Sequence, residues 1–321
     1  MVASPNPCGP ALADWCGRHL LEFDRVAVAY SAGADSTALL LAAHDRWPGR
    51  VVALHIHHGL QPAADGFEQA ARDVCLCHGI ELKVLRVDAG HASGQSPEDA
   101  ARRARYVALA NQAQASGVPV VLLGQHADDQ AETVLLALSR GSGLPGLAGM
   151  ADRFWRHGVL FGRPLLDLPA QSLRDWLLAR GQVFVDDPTN GDPRYTRNRI
   201  RAVLSPAWQA AFPGYRASLA RSARHAAQAQ ALLDELAASD LGMTGEPPMI
   251  AALQTLGRAR QANALRLWLR RSAGGAPSEA QLDELLDQID ACRTRGHRLR
   301  MRVAAGLVLR VGDRLRYEPP I

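Results

Sequence analysis

Short apolar, β-branched runs alternate with longer amphipathic stretches through the first 190 residues, the rhythm of βα units around a mainly parallel sheet. The pattern predicts strands at residues 26–30, 51–57, 82–87 and 118–124, followed by helices at 37–46, 64–78, 97–116 and 128–140. Ser96 reads as the N-cap of the third helix, with Pro97 at its first position and Asp99 at its third. Beyond the glycine-rich stretch 141–149, a strand at 159–163 and a helix at 171–180 complete this unit. Residues 205–214 carry two prolines and break the pattern, which places a domain boundary there: a first domain over 1–211 and a smaller one over 212–321. The second domain shows helical periodicity at 215–238, 255–272 and 278–292. It closes on alternating segments at 297–303, 307–311 and 314–318, a small antiparallel meander. The fold class is therefore α/β, a doubly wound, Rossmann-like, mainly parallel sheet with a mostly helical C-terminal domain.

The first strand runs into Ser31-Ala32-Gly33-Ala34-Asp35-Ser36 and then an apolar helix. Small residues let the backbone come close to a ligand, and amides at a helix start favour an anion. No Lys-Ser or Lys-Thr follows the glycine, so this is not a Walker A loop, and it is not a GxGxxG fingerprint. Ser-x-Gly-x-Asp-Ser after a strand resembles the PP-loop of the N-type ATP pyrophosphatases, which cleave ATP between the α and β phosphates. The plainer alternative is a strand-to-helix turn whose serines cap the helix.

Composition alters this picture little, whereas charge alters it more. With 321 residues, 47% hydrophobic and 21% charged, the chain has room for two domains. No apolar run has the length of a membrane span, and Asp14, Arg18 and Glu22 interrupt the N-terminal stretch, so a cytoplasmic protein without membrane contact is expected. Cys8, Cys16, Cys75, Cys77 and Cys292 form no CxxC and suggest neither a disulfide framework nor a zinc ribbon. Residues 1–192 hold 16 Lys and Arg against 21 Asp and Glu, a balance of −5. Residues 193–321 hold 20 against 11, a balance of +9. That asymmetry suits a face for nucleic acid, although arginines on solvated helix faces would produce it too. The sequence is compatible with a homodimer and does not fix the oligomeric state.

Polar motifs gather at predicted strand ends. The second strand closes on His55-Ile56-His57-His58-Gly59, where the backbone through His57 and Gly59 can meet adenosine; packing at the strand end is the alternative for His55, and no carboxylate or cysteine completes a zinc site. The fourth runs into Gln125-His126-Ala127-Asp128-Asp129-Gln130-Ala131-Glu132. If Asp128 opens a helix, Asp129 and Glu132 lie three apart on one face and can converge with His126. Such carboxylates could ligate Mg²⁺ or grip a cationic amine, or simply complement the helix dipole. Arg102, Arg103 and Arg105 on the third helix offer cations for phosphate, Arg105 being the first choice and at least one being merely solvated. Arg194, Arg197, Asn198, Arg199 and Arg201, with Tyr195, form an element able to contact RNA, or the wet side of a basic helix.

In order, the motifs SAGADS, HIHHGL, RRARY, HADDQAET, RGSGLPGL and the string from Asp187 to Arg201 resemble the tRNA(Ile)-lysidine synthetase family over roughly residues 25–211. Ala32 departs from the family's usual glycine, which requires a negative φ there, and Gln125 replaces a frequent histidine. The resemblance implies a two-step ligation on tRNA(Ile) with a CAU anticodon: the wobble cytidine is adenylated by ATP, then L-lysine displaces AMP at C2 to give lysidine, which pairs with A instead of G. It further implies that Ser31 to Ser36 hold pyrophosphate, Asp35 and Asp128 or Asp129 place Mg²⁺, and Arg105 offsets charge at the α-phosphate. Asp129 and Glu132 would bind or deprotonate lysine beside His126, and Arg102 and the basic 194–201 segment would contact substrate. Rivals are a tRNA thiolase, a small-molecule synthetase of the same fold and a non-catalytic RNA-binding protein.

Overall fold

The computed structural model describes residues 6–19, 21–57, 64–87, 97–187, 191–273, 275–294 and 297–320. Helix α1 (Cys8–His19) precedes β1 (Val26–Ala29), and βα repeats follow as α2 (Ala34–Arg46), β2 (Val51–His57), α3 (Ala64–His78), β3 (Glu81–Arg86), α4 (Pro97–Ala115), β4 (Val120–Leu122) and α5 (Ala127–Ser139). A single turn, α6 (Leu144–Leu147), leads to the hairpin of β5 (Arg153–Arg156) and β6 (Val159–Gly162) and then to α7 (Ala170–Ala179).

One six-stranded sheet results, in the order β3-β2-β1-β4-β6-β5, with only β5 antiparallel to its neighbour. β1 reads Val-Ala-Val-Ala and β4 Val-Val-Leu without a polar residue, as strands covered on both faces must. Side-chain alternation assigns the two covers. Val26, Val28, Val120 and Leu122 join Leu12 and Trp15 of α1, Leu39 of α2 and Trp176 of α7, whereas Ala27 and Val121 join Tyr106 and Leu109 of α4. Val28 sits opposite Ala53 of β2 on one side and Leu122 of β4 on the other. From that central strand the chain winds outward both ways, so the crevice beyond the C-terminal ends of β1 and β4 is the topological switch point. The loops carrying Ser31–Ser36 and His126–Asp129 both start there.

Helix α8 (Thr196–Arg199), a π-helical turn at Ile200–Leu204 and α9 (Ser205–Ala211) precede the long α10 (Tyr215–Thr244). The chain divides into two compact units, Met1–Arg224 and His225–Ile321. The second packs α11 (Ile250–Leu253), α12 (Arg258–Ala273), α13 (Glu279–Ala291) and the antiparallel meander β7 (Arg300–Val303), β8 (Gly306–Val311) and β9 (Arg314–Glu318) around Leu265, Trp268, Leu285, Val308 and Leu315. Ser278 and Gln281 form the capping box read from the sequence.

Several local expectations need correcting. Residues 205–211 are helical, not a break: the chain is helical from Thr196 through the π-helical turn to Ala211, with Pro206 just beyond that turn and Pro213 beyond the helix end. Helix α10 continues past 238 to Thr244, and α12 starts at Arg258, after a separate helical turn at 250–253 and a non-helical turn at 254–256. The fourth strand is shorter than expected, since the Val118 amide turns back to bond the Ala113 carbonyl at the end of α4. Ser96 lies outside the described residues.

Gly162, at the end of β6, is where α1 meets the sheet: a Cβ there would lie 2.4 Å from the Trp15 ring. Trp15 is fully buried and its indole N–H donates to the Asp152 carbonyl at 3.0 Å, so the ring has nowhere to retreat. Gly162→Ala is expected to destabilise the protein by about 1–3 kcal/mol, read as a lower urea midpoint; an unchanged midpoint would contradict this packing.

Candidate active site

The turn from β1 into α2 carries its strain on an alanine. Ala32 has φ +65°, in the left-handed region, whereas Gly33 is extended with φ −76° and ψ 164°. The expectation of a negative φ at residue 32 is thus overturned. The surroundings hold Ala32 in place: it is 1% exposed, and its carbonyl accepts from the Val185 amide at 2.9 Å. The serines brace the turn from inside. Ser36 Oγ donates to the Gly33 carbonyl at 3.1 Å and stands 3.0 Å from Ser31 Oγ, and the Ser31 amide donates to Ser36 Oγ at 3.2 Å. No side chain caps α2, in contrast to α5 and α13. The amides of Ala34, Asp35 and Ser36 open a helix and have no earlier carbonyl to bond, which leaves an anion-seeking end at the switch point. Asp35 Oδ1 is buried and has no hydrogen-bond partner among the described residues.

Facing this loop, α5 starts at Ala127, one residue earlier than the sequence suggested: His126 is the N-cap, and Asp128 and Asp129 occupy the first turn. His126 Nδ1 accepts from the Asp129 amide at 3.4 Å, and Asp129 Oδ2 accepts from the His126 amide at 3.2 Å, a capping box with imidazole in the serine role. The other ring nitrogen, Nε2, lies 3.5 Å from both Asp35 Oδ2 and Asp129 Oδ2. Burial favours the neutral ring, but the hydrogen bond to Asp35 and the charges of Asp129 and Asp128 outweigh it and raise the His126 pKa. Gly124 permits this apposition, since a Cβ there would lie 3.2 Å from the Asp35 backbone.

The three carboxylates of α5 have different fates. Asp128 Oδ2 accepts from the Ala170 amide at the start of α7 at 2.9 Å, and Oδ1 accepts from Arg216 Nε. Its burial would raise the pKa, yet these bonds hold it below the usual carboxylate range. Arg216 reaches Asp128 because Tyr215 and Leu219 of α10 pack on Ala131 and Val134. Asp129 Oδ1 accepts from Arg201 Nη2 at 2.9 Å. Glu132 is 1% exposed; burial pushes its pKa up despite Arg201, whose Nε donates to Oε1 at 2.5 Å and whose Nη2 donates to Oε2 at 3.2 Å. Arg197 adds Nη1 at 3.5 Å from Glu132 Oε2 and donates from Nη2 to Thr133 Oγ1 at 3.3 Å.

The remaining candidates scatter. His55 is buried with Nδ1 2.9 Å from the Tyr30 carbonyl, where desolvation lowers its pKa, so it fastens β1 to β2. His57 Nε2 lies 3.0 Å from Asp65 Oδ1, and Gly59 lies outside the described residues. Arg102 lies over the Tyr106 ring at 5.8 Å. Arg105 has an exposed side chain, yet enough protein surrounds its charge for desolvation, helped by Arg102, to lower its pKa. Arg194 pairs with Asp192, Asn198 donates to the Asp192 carbonyl at 2.9 Å, and Arg199 donates to the Pro193 carbonyl at 3.0 Å, so these three shape their own loop. Two residues escaped the sequence reading. Arg216 gave no local signal, whereas Arg163 ends a predicted strand: it is 5% exposed, donates to Gln125 Oε1 at 3.1 Å and packs 4.3 Å over the Phe154 ring. Among the described residues no three His, Cys, Asp or Glu side chains form a metal-holding group, and no helix is long and apolar enough to cross a membrane.

Residues 12–208 match the family model of the PP-loop domain, and residues 249–316 match that of the TilS substrate binding domain. The chain is 62% identical to the tRNA(Ile)-lysidine synthase of Polaromonas naphthalenivorans over 91% of its own length and 88% of that protein's. It is 42% identical to the Bordetella pertussis protein of the same name, over 89% and 93%. The Burkholderia pseudomallei counterpart is 43% identical over 86% of this chain, which spans 58% of that longer protein. Among solved structures, a U34-tRNA thiolase from Methanococcus maripaludis aligns with TM-score 0.58 at 17% identity, covering 68% of this chain and 77% of that one, a likeness of fold alone.

The left-handed alanine yields a direct test. Ala32→Gly relieves a strain of about 1–2 kcal/mol and gives part of it back through the freer unfolded chain, so a net stabilisation of about 1 kcal/mol is expected by urea denaturation. A destabilisation would contradict φ +65° at this position.

Proposed function

We propose that this chain, which belongs to the tRNA(Ile)-lysidine synthase family, forms lysidine on tRNA(Ile) by joining the side-chain amine of free L-lysine to C2 of the wobble cytidine in a CAU anticodon, at the expense of ATP. The observation that carries this reading is the meeting of Asp35 and Asp129 across His126, which sets an anion-seeking turn against a carboxylate pair. In the first step the cytosine O2 attacks the α-phosphorus and the bond to the β-phosphate breaks, with Ala34 to Ser36 amides receiving the departing pyrophosphate. Arg105 supplies positive charge at the α-phosphate. The cytidine must leave the anticodon stack to reach this crevice.

In the second step the amine attacks C2 and the C2–O bond to AMP breaks. The amine must be neutral to attack, and Glu132, whose pKa burial raises, is a stronger base than an exposed carboxylate. Asp129 binds the amine beside it. The unpartnered Asp35 Oδ1 fits Mg²⁺, which takes one or two carboxylates together with nucleotide phosphates and offsets their charge. Asp128 or Asp129 was expected to share that role, but Arg216 and Ala170 engage both oxygens of Asp128, and Arg201 and the His126 amide both oxygens of Asp129, so in this reading Asp35 is the carboxylate that would hold the ion. His57 supports the nucleotide side of the crevice, and Arg102, Arg194, Arg197, Asn198, Arg199 and Arg201 face or shape the RNA side. A cytoplasmic enzyme working without a membrane fits these soluble substrates. A thiolase would need a reactive sulfur near the crevice, whereas burial, with Asp35 adding to it, pushes the Cys8 thiol up to about 12.

Purified protein with ATP, Mg²⁺, labelled lysine and a CAU-anticodon tRNA(Ile) transcript is expected to place label in the RNA and release AMP; AMP without label would point to a sibling enzyme, and neither to a binding protein. Asp35→Ala should cut AMP formation by about 100-fold or more. Arg197→Ala should mainly weaken tRNA binding, a few-fold in Kd, with the salt slope falling by about one. The reverse pattern would overturn this division of labour.

A further inference from the structure

The acidic pair assigned above to the lysine amine is already satisfied by a cation of the chain itself. Arg201 places its guanidinium against both carboxylates, 2.5 Å from Glu132 Oε1 and 2.9 Å from Asp129 Oδ1. The Glu132 side chain is 2% exposed, so its charge needs a cation nearby, and Arg197 at 3.5 Å remains one when Arg201, whose side chain is 40% exposed, leaves toward solvent. Arg197 Nη1 already stands 3.5 Å from Glu132 Oε2, so a lysine ammonium would be a third cation on the pair, crowded within a few ångströms of Arg201 in a place of weak screening.

The backbone under Arg201 favours such a departure. Arg201 belongs to the π-helical turn Ile200–Leu204, and that turn presents Val203 and Leu204 to solvent, at 66% and 43% exposure. A π-helical turn costs helix stability and is common where a segment moves or works. Arg194, Arg197 and Arg199 lie on the same short stretch, so an RNA backbone approaching it brings phosphates that compete for Arg201.

We propose that Arg201 is an internal stand-in for the lysine ammonium: it occupies Asp129 and Glu132 in the free protein and gives them up when tRNA phosphate captures its guanidinium, so that the amine site opens only on the tRNA-bound enzyme. The inference rests on the assignment of Asp129 and Glu132 to the amine. Its consequence is ordered binding, with tRNA ahead of lysine. An amine kept out of the crevice before the cytidine arrives cannot attack the α-phosphate of ATP itself. By linkage, lysine must in turn tighten tRNA binding by the same factor.

Equilibrium dialysis of labelled lysine against the full chain provides the test. Without tRNA the wild-type protein is expected to bind lysine weakly. Adding the CAU tRNA with an ATP analogue that cannot be cleaved between its α and β phosphates should tighten lysine binding about tenfold or more, a typical coupling between sites. Arg201→Gln and the double variant Arg197→Gln/Arg201→Gln should gain similar affinity with no tRNA present, and added tRNA should then bring no further gain. Equal lysine affinity of wild-type protein with and without tRNA would overturn the proposal, and this arm needs no variant. Folded variants, by circular dichroism and melting temperature, that bind lysine no better than wild type would overturn it too. Lysine incorporation by the wild-type enzyme, measured alongside, separates failure of this inference from failure of the lysidine assignment.

Discussion

A carboxylate that cannot reach water governs this crevice. Glu132 sits one turn into α5, its side chain 2% exposed, and its charged form survives there only with a cation against it. Arg201 and Arg197 meet that need, Arg216 does the same for Asp128, and the His126 ring lies between Asp129 and Asp35. Three acidic residues in two turns of one helix therefore draw in the basic α8 segment and the start of α10. The site is held together by charge balance as much as by apolar packing.

The sheet decides where this balance can act. β1 and β4 are adjacent, and the chain leaves them in opposite directions, so the loops that follow them open on the same crevice. One loop is strained and leaves its helix uncapped; the other caps its helix with an imidazole and turns its carboxylates inward. An uncapped helix end seeks an anion, and a buried carboxylate seeks a cation. A triphosphate and a primary amine are the pair of reactants that suits this polarity, which links the geometry to an adenylating ligase rather than to a protein that merely binds RNA.

Much of the architecture was legible because its signals are local. Strand-loop-helix alternation gave the parallel sheet, and the polar motifs marked its C-terminal ends before any contact was known. Helix α1 was missed although Cys8, Leu12, Trp15 and Cys16 follow helical spacing, and β5 was missed because it is a short edge strand with Trp155 exposed. The site was legible as motifs and illegible as pairings. Arg201 stood out as a basic residue suited to RNA, but its partner Glu132 lies 69 residues away, and Arg216 lies 88 residues from Asp128. The sign of φ at Ala32 was misjudged because a Cβ disfavours the left-handed region, whereas the surroundings, with the Val185 amide bonded to its carbonyl, hold residue 32 there.

The most direct measurement of the central interaction is a double-mutant cycle on folding stability with Glu132→Gln, Arg201→Gln and the two combined. A coupling energy of about 2 kcal/mol is expected, within the range of residues in direct contact and above that of a surface pair, because Glu132 is buried while the Arg201 side chain is 40% exposed. Strictly additive single effects would show that the guanidinium does not hold the buried carboxylate and would contradict this account of the crevice.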